Sequence, residues 1–181
     1  MRKLGVLTQM KYLTLSSRLV NGVSLKFISM IQPENRFIQS VNRKLPLKTV
    51  IHYEKMNNPY RRGTADSWYS GNKADMWIEW KYLPKLPKTI DPQKLLHPLQ
   101  TAWLNGRWKE GRNVCVVIGC PDGGVILKDK LWLEKMEKED FMNRLKSAVE
   151  IALFIKQECV REEAQNDQQD SQICSERGGD I

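Results

Sequence analysis

The stretch GTADSWYSGNKADMWIEWKYL, residues 63–83, decides how this chain folds. Its second half alternates. Met76, Ile78 and Trp80 fall on one side of an extended strand, and Trp77, Glu79 and Lys81 on the other. One face is apolar, while the other ends in a carboxylate and an ammonium group. Upstream, ADSWY (65–69) has the residues of a short strand, and SGNK (70–73) has those of a tight turn. The two strands therefore predict a hairpin that brings Asp66 next to Glu79. A buried acid and base are costly unless they are paired or used. The pattern is read either as a solvated strand edge carrying a surface ion pair, which stabilises little, or as a site.

Working outward, QPENRFIQSVNRKL (32–45) predicts a helix. Pro33 suits its first turn, Glu34 suits the positive end of its dipole, and Phe37, Ile38, Val41 and Leu45 recur at helical spacing. LKTVIHYEKM (47–56) predicts a strand, NNPYRRG (57–63) a loop, and the proline-rich 84–92 another loop. A helix is expected from near Pro98 to Gly111, with Leu99, Ala102 and Trp103 inward. NVCVVIG (113–119) reads as a buried strand, followed through an Asp-Gly turn by a second. Residues 138–159 predict one amphipathic helix with Phe141, Leu145, Val149, Ala152 and Leu153 on its inner stripe. Helices and strands in this order make an α/β protein with a mixed central sheet flanked by helices. Three regions follow: a basic N-terminal extension (1–29), a core domain (30–159) and an acidic tail (160–181) expected to be disordered.

The 181 residues carry a net charge of +8, unevenly placed. From Arg161 onward six acids face two bases, a net of −4, so residues 1–160 carry +12. A basic body favours an anionic partner, nucleic acid first. Four cysteines without CxxC spacing, and only two histidines, argue against a zinc site or a disulfide scaffold and for reduced thiols, hence a cytoplasmic setting. No apolar run is long enough to span a membrane. Residues 1–29 hold Arg2, Lys3, Lys11, Arg18 and Lys26 with no acid. They read as an upstream extension or a DNA-touching arm, with an organellar transit peptide as the other reading.

Two carboxylates held together repel unless a cation lies between them. A hard divalent ion such as Mg²⁺ takes oxygen ligands of this kind and keeps several waters. Such an ion polarises a phosphodiester and lowers the pKa of a bound water. Lys81 is then placed to orient that water or to offset charge building on phosphate.

Asp66 followed by Glu79-Trp80-Lys81 resembles the D…ExK signature of the PD-(D/E)XK nuclease superfamily, with Ala65 where that superfamily often has proline. GTAD, then IEWK, then LQTAWLNGRWKEGRNVCVVIG resembles the VRR-NUC branch, whose small members are often phage proteins. The resemblance covers about residues 34–120. It implies a restriction-endonuclease-like core and a Mg²⁺-dependent DNA endonuclease, with Mn²⁺ as a substitute. Asp66, Glu79 and the Trp80 carbonyl would hold the metal, Lys81 would assist catalysis, and Gln100 would support the site from its helix. Glu34 matches an acidic residue often found on the first helix of the superfamily, although a helix-start acid has the dipole as sufficient reason. Arg61, Arg62 and Lys85 flank the site in loops and are expected to contact DNA phosphates. Trp103 and Trp108 are read as packing residues. The rival readings are a Holliday-junction resolvase, which would work as a homodimer, and a DNA-binding module without catalysis. An intact set of three charges argues against the latter.

Overall fold

The structure is a computed structural model that describes residues 32–56 and 63–161, with the backbone of two short strands nearer the N-terminus. The chain divides into two units, Met1–Gln32 and Pro33–Ile181. In the first, β1 (Leu19–Val20) pairs antiparallel with β2 (Val23–Ser24). The expectations for the basic extension, for the tail beyond Arg161 and for Arg61 and Arg62 otherwise lie outside the described residues.

The second unit is built on a five-stranded mixed sheet in the order β3 (His52–Lys55), β4 (Ser67–Ser70), β5 (Asp75–Tyr82), β7 (Val114–Cys120), β8 (Gly123–Leu127). Only the β5–β7 pair is parallel. The chain crosses between them through β6 (Thr89–Ile90), a short helix α2 (Pro92–Leu95) and the longer α3 (Pro98–Lys109). A parallel pair needs such a crossover, and its strands end up covered on both faces. Every residue of β7 is accordingly buried.

One face of the sheet packs against α1 (Pro33–Asn42) and a C-terminal helix, α5 (Ala148–Cys159). Phe37, Ile38 and Val41 of α1 and Ile151 and Ile155 of α5 meet Met76, Ile78 and Trp80 of β5 there. Phe37 stands edge-on to Trp80, with ring centroids 5.9 Å apart. A methyl group on Gly119 would come within 2.5 Å of the Phe37 ring, so the glycine in β7 gives that ring its place. The opposite face packs against α3, α4 (Lys138–Asn143) and a ribbon of β6 with β9 (Met136–Glu137). Leu104 of α3 and Trp132 are buried there against Val116 and Ile118.

The mixed sheet between helical layers is the architecture expected from the sequence. The differences are local. The strand predicted over 47–56 is limited to His52–Lys55, because Leu47 O accepts both Val50 N–H and Ile51 N–H in a turn. The loop at 84–92 contains β6, which pairs with a strand some 46 residues later in the chain. The single helix expected over 138–159 is two. Lys146 exchanges two backbone hydrogen bonds with Gly124, each 2.9 Å, and Ser147 then caps a new helix. The restart changes the helical phase, so Val149 and Leu153 are half exposed and Ile151 and Ile155 are inward. In α3 the inward residue is Leu104, while Leu99 is half exposed.

Candidate active site

Strand β5 outruns its neighbour. The β4 register ends at Ser67 opposite Ile78, whereas β7 accompanies β5 as far as Tyr82. Trp77 N–H and Leu83 N–H donate to Asn113 and Gly119 on the β7 side. Backbone groups of odd-numbered residues thus point to β7, and those of even-numbered residues to β4. At Trp80 the β4 side has no strand left. Its N–H donates instead to the Asp66 carboxylate, Oδ2 at 3.0 Å. The Trp80 carbonyl points to the same side, beside Asp66. Asp66 itself is held from the other flank, where its own carbonyl accepts Met56 N–H at 2.7 Å.

The Glu79 side chain is fully buried. Its Oε1 accepts from Lys81 Nζ at 2.6 Å and from Gln100 Nε2. Its Oε2 is buried and accepts from no donor. A carboxylate oxygen left without donors in the interior is costly. Burial, joined by repulsion from Asp66, pushes the Glu79 carboxyl up to about 8 against the opposing pull of Lys81.

Gln100 has a second task. Its Oε1 accepts His97 N–H at 2.9 Å, while His97 Nδ1 accepts Leu99 N–H at 3.2 Å. This reciprocal cap satisfies free amides at the start of α3 and fixes the Gln100 amide so that its NH₂ faces Glu79. The start of α3 is in turn seated on the Asp66 segment. Gly63 adopts φ +101°, and a methyl group there would meet Leu99 O at 2.7 Å. Only glycine fits both the backbone angle and the approach. The G-x-x-D spacing thus has a mechanical meaning: the glycine lets the helix bearing Gln100 dock three residues from Asp66.

Of the residues singled out in the sequence, Asp66, Glu79, Lys81, Gln100 and the Trp80 backbone therefore converge on the overhanging end of β5. Lys85 is exposed in the loop that follows. Asp75 begins the strand, four residues before Glu79, and lines a groove together with Thr64 and Trp77. Glu34 joins the group, although its position at a helix start had explained it. Its carboxyl is raised above the ordinary range by burial first and then by the nearby Asp66, with Lys81 and Lys55 opposing. The nearness of Glu34, in the first turn of α1, to Asp66 is a tertiary fact with no local sequence signal.

Three carboxyl groups, Glu34, Asp66 and Glu79, thus gather here with Lys81 on Glu79 and Lys55 also acting on Glu34. That gathering of carboxyl groups, with a Glu79 Oε2 that no donor reaches and a Trp80 carbonyl beyond the end of β4, fits a hard divalent cation, which would hold Glu79 in its ionised form. Among the described residues no group of three or more His, Cys, Asp or Glu side chains stands close enough to make a complete cage. The donor set suits an ion held by two carboxylates and a carbonyl that keeps part of its water shell.

No protein-family model matches this chain, and no curated protein matches it. Among solved structures, the chain is similar to Archaeoglobus fulgidus Hjc, a Holliday junction resolvase from an archaeal hyperthermophile. The identity is 16%, the TM-score is 0.45, and the match covers 67% of this chain and 96% of that one.

Proposed function

We propose that this protein is a divalent-metal-dependent DNA endonuclease of the VRR-NUC type, selective for DNA structure and using Mg²⁺, with Mn²⁺ as a substitute. The observation that carries the reading is the buried Glu79, whose Oε2 no donor reaches, beside Asp66, Lys81 and Gln100 where β5 outruns β4. A buried carboxylate oxygen that no donor reaches calls for an explanation, and a bound cation supplies one.

Asp66, Glu79 and the Trp80 carbonyl would hold the metal. When bound, such an ion polarises the phosphodiester and makes hydroxide from water available near neutral pH. The other work falls to the chain. Asp66 is held toward the site by the hydrogen bond its Oδ2 accepts from Trp80 N–H. Gln100 fixes the orientation of Glu79. Lys81, whose Nζ donates to Glu79 Oε1, offsets charge developing on a phosphate oxygen and orients the attacking water. Lys85, and Arg61 and Arg62 outside the described residues, contribute phosphate contacts. Among the described residues no helix is long and apolar enough to cross a membrane. Cys115, Cys120 and Cys159 are buried and free, which suits the reducing cytoplasm, that of a bacterial host if the chain is phage-encoded.

The test is a low-salt cleavage panel of supercoiled plasmid, linear duplex, single strand, flap and four-way junction, each with Mg²⁺, Mn²⁺ or EDTA. Metal-dependent cutting that disappears in Glu79→Ala and Lys81→Ala supports the nuclease. Symmetric nicking confined to the four-way junction, by a dimer, would make it a resolvase. Intact DNA in every lane, with DNA still retarded on a gel, would leave a binding module and overturn the reading.

A further inference from the structure

The sheet face that carries Glu79 also carries a row of rings the cleavage chemistry does not use. Centroids lie 5.7 Å apart for His52 and Trp68, 6.2 Å for Trp68 and Trp77, and 5.5 Å for Trp77 and Trp103. The Arg107 guanidinium extends the row, 6.0 Å from the Trp103 ring centre. The three indoles are only partly buried. Beside them is a groove of about 620 Å³, lined by Thr64, Trp77, Trp103, Arg107, Arg112 and Asn113, together with the acid Asp75. Arg107 also pairs with Glu110 at 2.9 Å, but both are well exposed, and a surface pair of this kind is easily exchanged.

We propose that this groove binds an unpaired nucleotide of the DNA strand, next to the phosphate that is cut. The proposal rests on the nuclease reading above for its position relative to the chemistry. Thr64 is two residues from Asp66. Trp77 is two residues from Glu79 on the same face of one strand, hence about 7 Å away, two base-pair rises of a duplex. A groove of this volume falls within the range of about 300–1,000 Å³ found for small-ligand sites. Trp77 and Trp103 offer indole surface for a base, and Arg107 and Arg112 offer charge for its phosphate. An indole stacks on a base only when that base is out of the duplex stack, so the site selects unpaired over paired DNA.

The test uses the full chain in EDTA, so that nothing is cut. A labelled single-stranded 12-mer without self-complementarity and a 12-base-pair duplex are titrated separately, and the ratio of the two affinities is read. Trp103→Leu is expected to weaken single-strand binding about fivefold to a hundredfold, with duplex binding little changed. Trp103→Phe should restore much of the loss. Arg107→Ala with Arg112→Ala, both at the surface, should weaken single-strand binding selectively and reduce its log–log salt slope by up to about 1.4. If Trp103→Leu does not fold, this arginine pair carries the same test. Equal losses on both DNAs, or no loss in variants with unchanged melting, would overturn the proposal by leaving these rings a packing role alone. The panel with Mg²⁺ or Mn²⁺ separates the two readings. Cleavage with no single-strand discrimination removes the groove and keeps the nuclease. Discrimination without cleavage removes the nuclease and keeps the groove.

Discussion

At Glu79 a single side chain couples stability, pH and metal. Its carboxyl is raised from the ordinary 4.5 to about 8, chiefly by burial. Between those values the folded chain keeps a proton that the unfolded chain has released. Its contribution to stability is complete below about pH 4.5 and is lost as the pH rises through about 8. The raised Glu34 acts with the same sign. In EDTA the melting temperature should therefore fall from about pH 5 to about pH 8, and Glu79→Gln should flatten that fall. Calorimetry at the two pH values decides it; an equally flat parent would mean that Glu79 is not desolvated. Because a metal needs the deprotonated form, added Mg²⁺ should raise the melting temperature more at the higher pH. Lys81 separates catalysis from binding. Lys81→Met removes a partly buried ammonium 2.6 Å from Glu79 and should lower the cleavage rate by about 10²–10³-fold. DNA affinity in EDTA should hardly change, since one charge among 29 basic residues is lost. A parallel loss of affinity would make Lys81 a phosphate anchor instead.

At the scale of elements, the two jobs of Gln100 can be told apart through its partner in the cap. His97→Ala and Gln100→Ala each remove half of the reciprocal cap at α3 and should each cost about 0.5–2 kcal/mol in chemical denaturation. Only Gln100→Ala also removes the donor to Glu79, so it alone should slow cleavage, by about 10–100-fold. Equal rates in the two variants would reduce Gln100 to a cap. Gly63→Ala should act on both elements at once. The strained φ costs about 1–3 kcal/mol, and the clash with Leu99 O pushes the start of α3 off the Asp66 segment. Melting and cleavage should therefore fall together, and a stable, fully active variant would sink this account of the glycine. The parts of the site readable from sequence are those that local pattern determines. Alternation set the faces of β5, the Ser-Gly turn returned Asp66 to it, and the apolar run at 114–119 declared a covered strand. Other features depend on contacts that pattern does not encode. The phase of α3 follows from Gln100 reaching the sheet and Gly63 admitting Leu99, not from its weak apolar stripe. The break before α5 needed Lys146 to bridge Gly124, although Ser147 and Glu150 already had capping-box spacing. The indole row was hidden because its members come from three different elements, and each alone reads as packing.

At the scale of the whole molecule the question is how charge is shared between the two units. The sheet, both of its helical layers and the converging side chains all belong to the unit beginning at Pro33. None of the side chains proposed to act lies in residues 1–29, whose five bases and absence of acids predict an electrostatic contribution instead. A chain starting at Met30 should keep the melting behaviour and metal-dependent cleavage of the parent, with weaker DNA binding at low salt. Each phosphate neutralised contributes roughly 0.9 to the slope of log affinity against log salt on duplex DNA, so losing up to five contacts should make that slope shallower by as much as about 4.5. Titrating both chains against one duplex at four salt concentrations in EDTA measures it. An unchanged slope would mean that these bases do not touch DNA and that the binding surface lies wholly on the second unit. A shallower slope with intact cleavage would divide the labour: the extension holds DNA through its phosphates, and the overhanging end of β5 decides where it is cut. Loss of the melting transition would show instead that the second unit depends on the first for its fold, and would move residues 1–29 from accessory to structural.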